Sequence, residues 1–428
     1  MKNTIAFISE HASPLASLGG VDTGGQNVYV AQLAIFLAKS GYKIDIYTRW
    51  ENATDEQVVN WLPGVRVIHV KAGPVSILPK EELLPYMAEF RESMLSFIRK
   101  EAISYELIHA NFFMSALVAA QLKEILHVPF VVTFHALGHV RRIHQGDSDK
   151  FPAERLSIEE DIVKKADKIF AECPQDKEDL LKYYSAPSFK TSIVPCGFSP
   201  DEFYPINQDE AREEMGLSQD EFILLQLGRM VPRKGVDNVI RSLAYLKDHS
   251  KKVRLVVVGG EAGDESNNPE LQRLKSIAKE AGVEMQVTFT GRKGRDVLKY
   301  YYSAADLFIT TPWYEPFGIT PLEAMACGTP VIGANVGGVK YSVSDGETGF
   351  LVPPNDPEAL AKTIQVLMDD QDLLFDMKKQ CIERVNSMFT WEKVAENVSA
   401  VYERIFLSRK QTAVVIQQQQ AGRKSQAA

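Results

Sequence analysis

Short apolar, β-branched runs alternate with longer helical patterns along almost the whole chain, and this alternation leaves few folds open. In the first half the runs are TIAFIS, KIDIYT, VRVIHV, LIHA and PFVVTFH, separated by patterns such as NVYVAQLAIFLAKSG. Such β-α-β alternation predicts a parallel sheet covered by helices. One predicted helix, from about Glu82 to Lys100, puts Leu83, Met87, Phe90, Met94 and Phe97 on one face with acidic residues opposite, which reads as a core-packing helix rather than a membrane-surface one. The alternation restarts after VPCGFSPDEFYP, whose prolines, glycine and acidic residue mark an interdomain linker around Pro195 to Pro205. The second series is FILLQLG, VRLVVVGG, VTFTG, LFITT, TPVIGA and GFLV, again with helices such as VDNVIRSLAYLKDH between strands. A last helix starts at the capping residue Thr390 in FTWEKVAENVSAVYERIF, and the glutamine-rich stretch beyond about Ser408 is expected to be disordered.

The 428 residues exceed the size at which one hydrophobic core keeps growing, so two domains of roughly 200 residues and a cleft between them are expected. A formal charge of -8 argues against nucleic acid or an anionic membrane as the main partner. Cys173, Cys196, Cys327 and Cys381 show no C-x-x-C spacing, so neither a zinc knuckle nor a disulfide framework is indicated, in keeping with a reducing cytoplasm. The apolar run in MKNTIAFISEH is too short for a signal peptide, and no stretch of about 18 apolar residues occurs.

In open α/β sheets ligands bind beyond the carboxyl ends of strands, which directs attention to three loops. After the first strand, EHASPLASLGGVDTGGQNVYV places Gly24 and Gly25 just before a helix starting near Gln26, where backbone N–H groups can approach an anion; an ordinary glycine turn is the plain alternative. The loop is much longer than the tight turn of a dinucleotide fold, which speaks against a nicotinamide oxidoreductase. After FILLQLG, Arg229 and Lys234 in GRMVPRKG could neutralise a diphosphate leaving group, or form a solvated basic turn. After LFITT comes WYEPFGITPLEAMACG. Here Thr320 suits an N-cap, Pro321 the first helical position and Gly328 the helix end, so Phe317, Gly318, Ile319 and Thr320 present backbone N–H groups to a phosphate. Glu323 fits a capping box with Thr320, whereas nothing local accounts for Glu315. A carboxylate there suits sugar hydroxyls or a developing cationic sugar centre. His135 in VVTFHALGH follows a strand pointing into the same cleft; its i, i+4 spacing to His139 lacks a third zinc ligand. The acidic Asp147-Ser-Asp149 sits in a polar loop and reads as solvated charge.

Together these loops resemble the family-4 retaining glycosyltransferases of the GT-B fold, in which two Rossmann-like, doubly wound domains face a central cleft. The E-x7-E pattern of Glu315 and Glu323, joined to GR-x4-KG at Arg229 and Lys234, carries the resemblance over nearly the whole chain to about Phe406. It implies an acceptor-side domain over residues 1–195, a nucleotide-sugar domain over 205–390, and a helix of about 391–407 packing back on the first. It implies that Arg229 and Lys234 hold the donor diphosphate, that Gly25 and Phe317 to Thr320 contact the donor, that Glu323 binds ribose hydroxyls, and that Glu315 and His135 face the transferred sugar. Within the family, EHASPL…DTGGQNVYV, AGPVSILPKEELLPYM and FHALGH are similar to the inositol-phosphate N-acetylglucosaminyltransferases of mycothiol synthesis and to the sucrose-phosphate synthase and sucrose synthase group. The first branch implies acceptor contacts from His11, Asn27, Lys80 and Arg155, the two cations gripping a phosphate. Phe112 and Ala136 replace the tyrosine and threonine of that branch, which removes two contacts.

The resemblance implies transfer from a UDP-sugar, with GDP- and ADP-sugars open, to a small sugar, polyol or sugar-phosphate acceptor. No resident cofactor or metal is expected, and a homodimer is an allowed assembly. The alternatives are transfer to a ketose phosphate as in sucrose-phosphate synthase, a nucleotide-sugar epimerase, a phosphorylase, and an inactive nucleotide-sugar-binding protein.

Overall fold

The computed structural model describes residues 3–16, 24–246, 252–260 and 268–426, with side chains to Gln411. Residues 17–23, the middle of the long first loop, lie outside the described residues, as does the end of the pattern VDNVIRSLAYLKDH.

The first lobe is built on β1 (Thr4–Ile8), β2 (Lys43–Arg49), β3 (Val58–Leu62), β4 (Val65–Val70), β5 (Leu107–Asn111), β6 (Phe130–Thr133), β7 (Lys168–Ala171) and β8 (Thr191–Ile193), in the order β3-β4-β2-β1-β5-β6-β7-β8. Every pairing is parallel except β3 with β4. The second lobe holds β9 (Glu221–Leu227), β10 (Lys252–Val258), β11 (Val287–Gly291), β12 (Leu307–Thr310), β13 (Val331–Ala334) and β14 (Gly349–Val352), all parallel, in the order β11-β10-β9-β12-β13-β14. In each sheet the winding reverses once: between β1 and β5 in the first, and between β9 and β12 in the second. The helices of the two halves diverge there, leaving a crevice at the carboxyl ends of the strands.

Three strands, β3, β7 and β8, were not among the runs singled out in the sequence. β3 is an edge strand with no fully buried residue, and β7 and β8 are only four and three residues long. The expected helix from Glu82 begins instead at Met87, because Pro85 cannot sustain a continuous hydrogen-bond ladder and the chain takes two single turns, Lys80–Glu82 and Leu84–Tyr86, before it. Its face of Met87, Phe90, Met94 and Phe97 is buried in the first lobe's core.

The chain passes between the lobes twice, and the two passages pair with each other. Phe198 N–H donates to Phe389 O at 2.9 Å and Trp391 N–H donates to Phe198 O at 3.1 Å. A side chain on Gly197 would stand 2.9 Å from Phe389 O, so only glycine permits this approach. The second passage leads into the helix Trp391–Gln426, which lies against the first lobe: Trp391, Val394, Val398 and Tyr402 are fully buried in a cluster with Tyr29 and Leu33. Tyr42 OH donates to Glu403 at 2.9 Å, and Arg409 reaches the carbonyl of His127 at 2.7 Å. The helix continues to Gln426, across the stretch expected to be disordered. Once the buried part has nucleated the helix, Gln, Ala, Arg and Lys propagate it at little cost per residue. Among the described residues no helix is long and apolar enough to cross a membrane.

Trp391 anchors this return, its ring 5.8 Å from that of Tyr29. Trp391→Ala is expected to remove about 3–5 kcal/mol of stability, read as a lower urea midpoint followed by tryptophan-independent circular dichroism. An unchanged midpoint would refute the anchoring role.

Candidate active site

On the second lobe, the carboxyl ends of β9 and β12 bring the basic turn against the acidic loop. β9 runs into Gly228, Arg229 and the turn Pro232–Lys234; β12 runs into Thr311 to Ile319 and then the helix Thr320–Ala326. Gly235 locks the two together, since a Cβ there would lie 2.0 Å from Thr311 O. Gly337, at φ 45°, does the same for the loop's centre: its Cβ would sit 1.9 Å from Glu315 O, and Gly338 N–H donates to that same oxygen at 3.1 Å. Glu315 is thereby fixed with its carboxylate on Lys234 Nζ and 3.4 Å from Arg233 Nη1. The carboxylate that has no local explanation thus has a partner 81 residues away.

Burial alone would raise the pKa of Glu315, but Lys234, Arg233 and Arg229 together outweigh it and hold the carboxyl at about 2. Lys234 does not mirror this with an upward shift. Its pKa is lowered, because burial penalises the ammonium and two arginines crowd it. Three cations converging on one carboxylate favour its charged form. Just beyond, Phe317, Gly318 and Ile319 present backbone N–H groups with no backbone acceptor among the described residues. Thr320 opens the helix, but no side chain caps it: Glu323, expected in a capping box, turns away to accept from Tyr302 OH at 2.9 Å and to pair with Arg295 Nη1 at 2.9 Å. The capping-box expectation is therefore corrected; a buried carboxylate is better satisfied by an arginine fork and a phenol than by an N–H at the helix end.

The first lobe supplies the opposite wall. Two non-glycine residues at strand ends, Phe112 after β5 and His135 after β6, have φ of 84° and 58°. Such backbone costs about 1–3 kcal/mol each and persists only where the surroundings impose it. His135 is imposed upon from three sides: Nδ1 lies 3.0 Å from Glu172 Oε1, Nε2 lies 3.1 Å from Asn111 Oδ1, and the ring packs edge-on to Tyr29 at 4.8 Å. Beneath it His109 bridges Tyr402 OH at 2.6 Å and Thr133 Oγ1 at 2.9 Å, its pKa pushed down to about 3 by burial and then by the proximity of His135.

The remaining expected residues divide. Gly25 starts the helix Gly25–Lys39, where a Cβ would lie 3.8 Å from Ile319 of the other lobe, and one on Gly24 would lie 4.0 Å from the Arg229 guanidinium, so this helix start faces the donor-side loops. Asn27 is buried with its amide engaged by Gly24 N–H at 2.9 Å and Ser13 O at 3.0 Å, holding the loop. His11 Nδ1 rests on Glu10 at 2.8 Å, and Glu10 also accepts from Ser115. Arg155 is 1% exposed, enclosed by Phe112, Phe113 and Phe151 and bound to Glu159 and Ala136 O; its Nη1 has no hydrogen-bond partner among the described residues. Lys80 stands on its own turn, 3.9 Å from Glu81. Sequence reasoning passed over Arg233, although it adjoins Lys234, and Glu172, Asn111, Arg295 and Tyr302, which no local pattern marks.

Between the lobes a cavity of about 410 Å³ is lined by Leu137, His144 and Cys173 on one side and Tyr314, Glu315 and Lys340 on the other. Its walls touch: the rings of His144 and Tyr314 stack at 5.0 Å, and Lys340 Nζ donates to Gln175 at 2.8 Å.

Comparison with known proteins places these features. Residues 23–202 match the family model described as Glycosyltransferase Family 4, and residues 207–387 match that of Glycosyl transferases group 1. The D-inositol 3-phosphate glycosyltransferase of Corynebacterium glutamicum is 34% identical over 404 residues, 93% of this chain and 96% of its own; that of Corynebacterium jeikeium is 35% identical, covering 94% and 96%. Among solved structures, sucrose-phosphate synthase from Thermosynechococcus elongatus superposes with a TM-score of 0.87 at 35% identity, over 95% of this chain and 100% of that one. Anabaena HepE, solved with UDP and glucose, has a TM-score of 0.72 at 19% identity over 94% and 100%, a likeness of fold; the fold throughout is GT-B.

The depressed Glu315 pKa fixes a pH dependence. A carboxyl at about 2 when folded, against an ordinary 4.5, contributes stability that is fully present above pH 4.5 and is lost as the pH falls towards 2. Between pH 5 and 2 the wild type should lose up to about 3 kcal/mol more than Glu315→Gln, measured by urea unfolding at each pH. Parallel curves for the two proteins would show that the ion pair contributes nothing.

Proposed function

The chain belongs to the family-4 glycosyltransferases, and from that premise we propose that it moves a glucose- or N-acetylglucosamine-type hexosyl group, with retention, from a nucleoside-diphosphate sugar to a small phosphorylated sugar or polyol. The observation that carries this reading is the convergence of Lys234, Arg233 and Arg229 on Glu315 at the crevice between β9 and β12. Three cations beside open backbone N–H groups suit a diphosphate, which must accept charge as the sugar leaves.

In this mechanism the arriving diphosphate takes over Lys234 and Arg229, and Glu315 is released to the hydroxyls of the transferred sugar. The bond from the anomeric carbon to the phosphate oxygen breaks through an oxocarbenium-like state. The acceptor hydroxyl adds on the same face, and its proton passes to the leaving phosphate. His135, held by Glu172 and Asn111, faces the sugar from the first lobe, and closure of the cleft excludes water. UDP is the favoured base, and GDP- or ADP-sugars are the competing donors. Cytoplasmic work is part of the same reading, as four buried free cysteines agree with a reducing compartment.

A phosphorylated acceptor is supported by the relatives' names, each of which carries a phosphate on a polyhydroxyl compound, and by the buried Arg155 with its open Nη1. Phe112 and Ala136 contribute a ring and a backbone carbonyl to that arginine rather than hydroxyls, so the acceptor is held differently from inositol phosphate in the branch with tyrosine and threonine. Transfer to a ketose phosphate is the second reading, favoured by the sucrose-phosphate synthase superposition.

Thermal-shift screening against UDP-, GDP- and ADP-sugars, followed by mass spectrometry with phosphorylated and free acceptors, tests the assignment; products only with free sugars would overturn the phosphate reading. Glu315→Ala and Lys234→Ala should each lower kcat by about 10²–10³-fold with the fold intact. Near-normal turnover in both would sink the site.

A further inference from the structure

Arg295 opens the helix Arg295–Ala304 and connects more of the molecule than any motif predicts. Its Nη1 meets Glu323 Oε1 at 2.9 Å, its Nε donates to Glu202 Oε2, and its guanidinium lies 4.7 Å over the ring of Phe203. Glu202 belongs to the linker, and its other oxygen accepts from Gln32 Nε2, on the first lobe's helix Gly25–Lys39, at 3.0 Å. Seven positions along the same face of its helix, Tyr302 OH donates to Glu323 Oε2 at 2.9 Å. Glu323, 2% exposed, is thus gripped on both oxygens by one helix, whose arginine is in turn gripped by the linker.

Two details show that this is more than packing. A guanidinium fork can hold two carboxylates at fixed angles, which a lysine cannot do. Arg295 also keeps one donor in reserve: Nη2 is buried and has no hydrogen-bond partner among the described residues. A buried donor left open beside a carboxylate costs about 1–3 kcal/mol unless a polar group arrives to meet it.

We propose that Arg295 is a positioning residue of the nucleotide site: it aims the Glu323 carboxylate at the ribose diol, offers Nη2 to the same diol, and is itself aimed by Glu202. The inference rests on the reading of Glu323 as the ribose-binding carboxylate. Its consequence is specificity, because a site built to hydrogen-bond two hydroxyls leaves its own groups unpaired when one is missing.

Calorimetric titration of the full-length protein with UDP and 2′-deoxy-UDP tests it; if GDP or ADP proves the better ligand, the matching 2′-deoxy pair is used. Wild type should favour the ribonucleotide by about tenfold or more. Arg295→Gln should weaken the ribonucleotide by about tenfold and bring the ratio close to one, Arg295→Lys should restore part of the ratio, and Glu202→Gln should lower it by about threefold. A ratio that survives Arg295→Gln overturns the proposal even if both ligands bind more weakly, since equal losses mean general damage. Should Arg295→Gln fail to fold, an unchanged ratio in both Arg295→Lys and Glu202→Gln overturns it. Wild-type binding without discrimination also overturns it while leaving the transferase reading intact. Absence of binding by UDP, GDP and ADP alike removes the transferase reading and this inference together.

Discussion

The two passages of the chain between the lobes are hydrogen-bonded to one another, and most of the architecture follows from that pairing. Because Phe198 lies beside Phe389 and Trp391, the two backbone passages between the lobes run side by side. The same pairing delivers the terminal helix to the first lobe, where Tyr402 hydrogen-bonds His109 and closes a buried polar chain through Thr133 to Tyr29, which packs against His135. A residue in the last tenth of the sequence therefore supports the floor of a site assembled from both halves. Buried networks of this kind are useful only when fully satisfied, and here each link has its partner.

Charge is arranged differently on the two walls. On the second lobe, cations outnumber carboxylates around Glu315, and one carboxyl absorbs the field of three neighbours. On the first lobe three buried carboxylates are matched with side chains, Glu10 with His11 and Ser115, Glu172 with His135 and Cys196, and Glu159 with Arg155 and Tyr184, while Asp176 accepts the backbone N–H of Glu172 and is pushed up to about 8 by burial and by Glu172 itself. An anionic donor has an electrostatic reason to settle on one wall and not the other. The stacked rings of His144 and Tyr314 and the Lys340–Gln175 bond already cross the gap, so these lobes stand close together, and access requires those contacts to part.

The second half was legible almost strand for strand, because its apolar runs are four to seven residues long and separated by clear helical patterns. In the first half the three-residue β8 and the half-exposed β3 carry too little hydrophobic signal to be read, and β7, as long as β12 to β14, is masked by the charged residues on either side of KIFA. The loops that bear Arg229, Lys234, Glu315 and His135 were recognisable because each follows a strong strand, and strand ends are where a doubly wound sheet concentrates polar function. What could not be read were pairings distant in sequence: Lys234 with Glu315, Arg295 with Glu323, Glu172 with His135. Glu323 shows the hazard of local reasoning, since Thr320-Pro-Leu-Glu323 satisfies the capping-box spacing while the folded chain offers the carboxylate a stronger partner.

The edges of the larger sheet have a bearing on how this chain survives at high concentration. One edge, β8, is three residues long; the other, β3, runs antiparallel to its neighbour and has a register irregularity between Asn60 and Leu62. A row of unpaired backbone groups is a template on which a second molecule can add a strand, and both ends of this sheet deny it one: the first is too short to nucleate growth, the second too distorted to match a flat partner. A mostly parallel sheet of eight strands, slow to assemble and exposed while it does so, is thus bounded by two poor seeds for aggregation.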